Sequence, residues 1–210
     1  MSAFKTALVA LGCLAAAAAP AAPDARTLVE KLARESPSSV AFTEARFSSL
    51  LRQPLVVSGE LAYLGSDGLD RRVTSPYRET ITIRGSTVRI EREGEEVRSF
   101  ALERAPELEG FLRAFGALLA GDSIALEKTF AIAANGDDAA NWTLELTPLN
   151  ERARRRVSMI RIYGNGDELH CLATIDTKET GSVMLLGDQT SATISPASSF
   201  DDLLAHCRER

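Results

Sequence analysis

The stretch from Phe42 to Tyr63, FTEARFSSLLRQPLVVSGELAY, constrains the fold more than any other part of the chain. In its second half Leu55, Val57, Gly59, Leu61 and Tyr63 fall on one side of an extended backbone. Val56, Ser58, Glu60 and Ala62 fall on the other. A period of two marks a half-buried antiparallel strand. The spacing predicts two long strands joined by a short turn at Arg52-Gln53-Pro54.

Most of the chain beyond Tyr63 repeats that kind of strand. Leu69–Thr74 is one, and Tyr77–Ile83 alternates with Tyr77, Glu79, Ile81 and Ile83 on one side. Val88, Ile90 and Arg92 share a face of the next, and Val97–Leu102 is a further short strand carrying Phe100. After a helical interval come Thr129–Ala133, a strand with Trp142, Leu144 and Leu146 in phase, then Val157–Tyr163, Glu168–Asp176, Gly181–Leu186 and Ser191–Ser195. Turn residues separate these runs at meander spacing: Gly85-Ser86, Gly94-Glu95, an Asn135–Asp138 turn and the hairpin pair Asn165-Gly166.

Helical spacing occurs in three places. Asp24–Glu35 opens with an N-cap residue and puts Leu28, Val29 and Leu32 together. From Pro106 to Ala120 the apolar positions Leu108, Phe111, Leu112, Phe115, Leu118 and Leu119 form one stripe, with a short helical turn after it at Ser123–Glu127. Phe200–Arg208 places Phe200, Leu203, Leu204 and Cys207 on one face. The fold expected is mainly β with helices (α+β): an incomplete antiparallel barrel of about ten or eleven strands covered by helices. The central helix must bury its Phe/Leu stripe against the concave side of that sheet.

The N-terminus reads differently. Lys5 precedes an unbroken apolar run from Ala7 to Ala19, and Ala19-Pro20-Ala21 fits a small-residue cleavage site. That is a secretory signal peptide over residues 1–21, followed by one domain over 22–210. The run is shorter than the ~20 residues a spanning helix needs. A lipidation signal at Cys13 fits poorly, because the apolar run continues past it. Export leaves Cys171 and Cys207, and two readings stay open: a disulfide, or two buried thiols.

The formal net charge is −5, and acidic and basic residues are interspersed, which argues against a nucleic-acid partner. The basic cluster Arg152, Arg154, Arg155 and Arg156 reads as a solvated loop edge. No catalytic set emerges. His170 and His206 stand apart from any nucleophile motif, no phosphate loop follows a strand, and no third ligand joins His170-Cys171 as a metal site. Asp70, Glu79, Glu91 and Glu145 are the scattered carboxylates that folding would have to pair. No enzyme, metal or cofactor is expected. What remains is apolar capacity, and alternation alone does not separate a filled core from a ligand cavity.

The motif order Phe42-Thr43-Glu44, Ser58-Gly59-Glu60-Leu61, Ser75-Pro76-Tyr77 and an apolar strand ending at Gly85 resembles the periplasmic outer-membrane lipoprotein carrier family (LolA-like). Trp142-Thr143-Leu144-Glu145-Leu146-Thr147-Pro148 and the strands around Ile160, Ile162 and Leu169 extend the resemblance over most of the chain. It implies a half-barrel with a helical lid over an apolar cavity, which takes acylated lipoprotein or lipid cargo from an inner-membrane transporter to an outer-membrane acceptor, as a monomer and without covalent chemistry. The cavity and lid residues it implies here are Leu61, Tyr63, Ile81, Ile83, Val88, Ile90, Phe100, Phe111, Leu112, Phe115, Leu118, Trp142 and Leu144. The family often carries Phe-Arg-Trp before the Ser-Pro pair, with its arginine tied to lid closure. Leu69-Asp70-Arg71 stands at those positions here, so the arginine is shifted to Arg71 or Arg72, or absent, and the tryptophan is missing. The departure points to a divergent branch. An apolar-ligand sensing or regulatory module of the same fold is the competing expectation.

Overall fold

The computed structural model describes residues 23–65, 68–104, 106–137, 140–178, 181–188, 194–195 and 197–209; the side chains of 106–111 and 113 are outside that description. The signal peptide expected over 1–21 lies outside the described residues. The chain begins with α1 (Ala25–Lys31), whose N-cap Asp24 accepts a hydrogen bond from the Thr27 amide. Helix α1 ends at the Leu32 cap, earlier than the Glu35 expected from spacing, because Arg34 leaves the helix to donate its amide to the Leu119 carbonyl.

Eleven strands among the described residues form one antiparallel sheet. The first six are β1 (Ser38–Arg46), β2 (Leu55–Tyr63), β3 (Leu69–Ser75), β4 (Glu79–Arg84), β5 (Thr87–Arg92) and β6 (Arg98–Ala101). The other five are β7 (Phe130–Gly136), β8 (Asn141–Pro148), β9 (Val157–Asn165), β10 (Glu168–Asp176) and β11 (Gly181–Leu186). The order across the sheet is β6-β5-β4-β3-β2-β1-β11-β10-β9-β8-β7. Two meanders therefore meet where β1 pairs with β11, Phe42 opposite Leu186 and Glu44 opposite Met184. The edges β6 and β7 do not pair, so the barrel is incomplete. The chain between those edges carries α2 (Pro106–Leu119) and α3 (Ser123–Glu127).

Helix α2 stops at Gly121, whose φ of 65° lies in the left-handed region and where a Cβ would run into Ala33 and Glu30 of the α1 segment. Asp122 then caps α3 by accepting from the Ala125 amide at 2.8 Å. Two expectations about connections need correction. The first hairpin has no tight turn at Arg52–Pro54. β1 already ends at Arg46 and β2 begins at Leu55, because Phe47 turns away to meet Phe200 edge-on at 5.5 Å and donates its amide to Gly181. Asn135 and Gly136, expected in a turn, continue β7 opposite Thr143 and Trp142. Of the strand expected over Ser191–Ser195, residues 191–193 are outside the described residues, and Ile194 and Ser195 are not in a strand.

The sheet buries apolar residues on both faces. The inner face, under α1, α2 and α3, holds the larger core: Leu28, Phe42, Leu61, Phe115, Trp142, Leu144 and their neighbours. The outer face of β9, β10 and β11 is covered by α5 (Phe200–Arg208), which buries Phe200, Leu203, Leu204 and Cys207 against Tyr163, Ala173, Ile175 and Leu185. The concave side is thus not the only large apolar surface. A short α4 (Glu151–Arg154) occupies the arginine-rich stretch, capped by Asn150. The open question about the cysteines resolves as a disulfide: Cys171 and Cys207 are bonded, with Cα atoms 5.8 Å apart, and the bond ties α5 to β10.

Candidate ligand cavity

Register fixes which side chains share the inner face. Tyr63, Leu69, Ile83, Val88 and Phe100 align across β2 to β6, and Leu61, Arg71, Ile81 and Ile90 form the next row. On the other meander Leu172, Ile162 and Leu144 continue the row that Glu44 and Met184 begin. Helix α2 lies over these rows with Leu112, Phe115 and Leu118 buried.

The packing beneath α2 is incomplete. A hollow of about 270 Å³ is lined by Arg71, Ile81, Ile83, Leu112, Leu172 and Met184 among others. A second of about 330 Å³ shares Ile83 and Leu112 and reaches Tyr63, Leu69 and Gly116. A third of about 380 Å³ shares Tyr63 and lies against Val40, Leu61, Phe115 and Leu169. A Cβ built on Gly116 meets no atom within 4 Å, so there is open space beside this position of the helix. Small-molecule sites occupy roughly 300–1,000 Å³; the second and third hollows sit at the lower end of that range and the first falls just below it.

The first hollow has a charged wall. Glu44, Arg46 and Arg71 project into it from β1 and β3. Arg71 is 5% exposed and pairs with Glu44 at 2.6 Å, and its guanidinium lies over the Phe42 ring at 4.6 Å. Arg46 reaches the same Glu44 oxygen at 2.8 Å. The Arg71 Nη1 stands 3.9 Å from Glu79 without a hydrogen bond, and Glu79 is engaged by Arg92 at 2.5 Å. Burial works against the Glu44 charge, but Arg46 and Arg71 outweigh it and hold the carboxyl below its ordinary value. For Arg71 burial wins: together with the nearby Arg46 charge it outweighs Glu44 and Glu79, and the guanidinium is pulled below its ordinary value.

The residues proposed from sequence divide into groups. Leu61, Tyr63, Ile81, Ile83, Leu112 and Phe115 line the hollows, together with Arg71. Val88, Leu118, Trp142 and Leu144 are buried in the inner core, and Ile90 and Phe100 are half-buried against it. None of these six is among the residues lining the three hollows. Trp142 in particular packs on Gly164 and donates its indole N–H to the Gly166 carbonyl at 2.8 Å, which marks it as structural. The Phe111 side chain is outside the described residues. Arg72 is exposed on the opposite face of β3, so the interior arginine is Arg71. Sequence reasoning missed Glu44, Arg46 and Gly116. The signal for the first two was present: they fall in phase with Phe42, on the side of β1 that must be buried.

The scattered carboxylates are all ion-paired: Asp70 with Arg84, Glu79 with Arg92, Glu91 with Arg89 and Glu145 with Arg161. His170 Nε2 lies 3.0 Å from the Cys207 carbonyl oxygen and so joins β10 to α5. Among the described residues no group of three or more His, Cys, Asp or Glu is placed to hold a metal, and no helix is long and apolar enough to cross a membrane.

A family model described as outer membrane lipoprotein carrier protein LolA-like matches residues 17–207. The chain belongs to this LolA-like family. Solved structures similar to it are distant. A LolA superfamily protein from Nitrosomonas europaea is 11% identical with a TM-score of 0.42, over 80% of this chain and 93% of that one. LprF from Mycobacterium bovis is 12% identical with a TM-score of 0.36, over 85% and 99%. An outer membrane lipoprotein-sorting protein domain from Vibrio parahaemolyticus is 10% identical with a TM-score of 0.42, over 89% and 98%. A search of curated proteins returned no match.

Proposed function

We propose that this LolA-like protein is a periplasmic carrier, exported by a signal peptide cleaved after Ala21. It binds the acyl chains of a lipoprotein or lipid under α2 and ferries them from an inner-membrane transporter toward an outer-membrane acceptor. No covalent step is needed, and the working unit is the monomer.

The observation that carries this reading is the set of adjoining apolar hollows between α2 and the inner face, with the Gly116 position open above them. Hiding one CH₂ group from water is worth ~0.8 kcal/mol. A chain of a dozen or so such groups gives only reversible membrane attachment. A carrier for it therefore needs apolar walls that approach the membrane in affinity without exceeding it, and a cover that moves. Helix α2 suits the cover. It lies in the connection between two unpaired sheet edges, and displacing it breaks none of the sheet pairing.

The test is native mass spectrometry of the protein purified from a Gram-negative periplasm, followed by lipid extraction, with uptake of a fluorescent acyl probe measured on the delipidated protein. Bound acylated protein or lipid, and probe uptake abolished by Gly116→Leu in a folded variant, is the expected result. A bare protein that takes up no probe would overturn the carrier.

A further inference from the structure

The charged wall of the smallest hollow, at about 270 Å³, is out of balance. Arg46, Arg71 and Glu44 line it, two cations against one anion. Both guanidinium groups converge on the same Oε2 of Glu44, at 2.8 and 2.6 Å. The second buried carboxylate, Glu79, is held by Arg92 and offers Arg71 only a 3.9 Å approach. Arg71 Nη1 is thus a buried donor without an acceptor. Such a group carries the full cost of lost hydration, and more so when it is charged. A trapped water would satisfy the donor and leave the charge as it is. A ligand with one negative charge would correct both.

We propose that Arg46 and Arg71 form a head-group seat, so that the ligand of this cavity is a monoanionic amphiphile, with a carboxylate or a phosphodiester set against Arg71 Nη1 and an acyl chain along Ile81, Ile83 and Leu112. The proposal rests on the acyl-binding reading and adds the class of head group. A planar guanidinium is suited to it, since it presents paired donors to two oxygens of one carboxylate or phosphate. Glu44 keeps a second task. It holds both arginines in position and leaves one positive charge for the ligand, so a neutral ester or a zwitterion gains less. Burial and the neighbouring Arg46 charge both work against the charged form of Arg71, which is the condition an incoming anion relieves.

The experiment uses the delipidated mature chain loaded with a neutral fluorescent acyl probe. Laurate, methyl laurate, lyso-phosphatidylglycerol and lyso-phosphatidylcholine compete for it at neutral pH. We expect laurate to displace the probe at least about tenfold more effectively than its methyl ester. The preference should persist at about 1 M salt, where exposed charges are screened within ~3 Å. It should fall in Arg71→Met and in Arg46→Met, and stay in the surface control Arg52→Met. Because Arg71→Met leaves Glu44 with one arginine partner, the double variant Glu44→Gln/Arg71→Met keeps the test open if the single variant does not fold. An advantage of the lyso-phosphatidylglycerol over the lyso-phosphatidylcholine places the seat with phosphodiesters, and an advantage confined to laurate places it with carboxylates. Equal displacement by acid and ester, with no anionic phospholipid preference, would overturn the head-group seat and leave the acyl cavity intact. Failure of every compound, and of the probe itself, would overturn the cavity reading instead.

Discussion

The two faces of this sheet solve the same problem in different ways. On the outer face of β9 to β11, a nine-residue amphipathic helix packs onto an apolar patch, leaves one hollow of about 400 Å³ rimmed by Ser158, Arg161, Asp201 and Arg208, and is bonded in place by Cys171–Cys207. On the inner face a longer helix covers a larger surface, yet hollows remain and two arginines and a glutamate stand inside the wall. Packing to native density is the default in protein interiors. Both faces depart from it, but the inner hollows adjoin one another through shared Ile83, Leu112 and Tyr63 beneath a single helix. The difference also separates a covalent attachment from a non-covalent one. α5 is tied covalently to the strand beneath it, whereas α2 hangs between two unpaired edges.

The largest expected effect tests the anchored face. Replacing both cysteines, Cys171→Ser with Cys207→Ser, opens a loop with a sequence separation of 36. The loop-entropy relation gives a loss of roughly 3–4 kcal/mol for a loop of that size. Urea unfolding should show it as a lower midpoint with loosening of α5, while acyl-probe uptake at the inner face stays unchanged. Loss of probe uptake in a folded double variant would mean that the two faces are coupled and the contrast between them is too simple.

A matched pair of truncations comes next. Leu203 and Leu112 are almost equally buried, at 6% and 8% exposure. Leu203 sits in the outer layer away from the hollow that Leu204 borders, and Leu112 borders two hollows. Leu→Ala in a core costs about 2–5 kcal/mol, depending on how many neighbours lose their contacts. Leu203→Ala should fall in the upper half of that range and Leu112→Ala near its bottom. The Leu112→Ala variant should also take up bulkier acyl probes. Equal costs would show that the hollows under α2 close up in solution.

Much of this division was legible in the sequence. The alternation of β2, β4 and β8 and the stripe at Leu203, Leu204 and Cys207 are local patterns, and they placed these strands and α5 to within about two residues. That α5 covers the outer face was not readable, since the decision depends on β1 pairing with β11, a contact about 140 residues apart in the chain. Nor was the bend of Phe47 away from the hairpin, because its partner Phe200 lies at the far end of the chain. In the cavity the apolar lining came from periodicity, which does not tell Trp142, packed on Gly164, from Leu112, beside a hollow. The charged wall was half visible. Glu44 and Arg46 keep the parity of Phe42, and a charge in phase with a buried face signals either an ion pair or a ligand.

The smallest effect expected bears on that wall and is a matter of sign. Glu44 has its carboxyl held below its ordinary value of 4.5 by Arg46 and Arg71, against the opposing effect of burial. In the unfolded chain it returns to that ordinary value. A depressed folded value means that the unfolded state takes up a proton first as pH falls. The stabilisation from Glu44 is therefore complete above about pH 5.5. It drains away as pH drops through the ordinary value toward the depressed one, at no more than about 1.4 kcal/mol per pH unit for a single group. Glu44→Gln lowers stability at neutral pH, because it leaves two guanidinium groups facing each other without their shared anion. It should also flatten the acid limb, so that wild type and variant converge as pH falls from about 5.5 toward about 3. Urea unfolding midpoints across that interval measure the gap. Parallel curves would mean that Glu44 takes up its proton in the folded state over the same pH range as in the unfolded chain, which a carboxylate clamped between Arg46 and Arg71 does not. In that case the inner wall would be as solvated as the surface, and the contrast between the two faces would rest on packing alone.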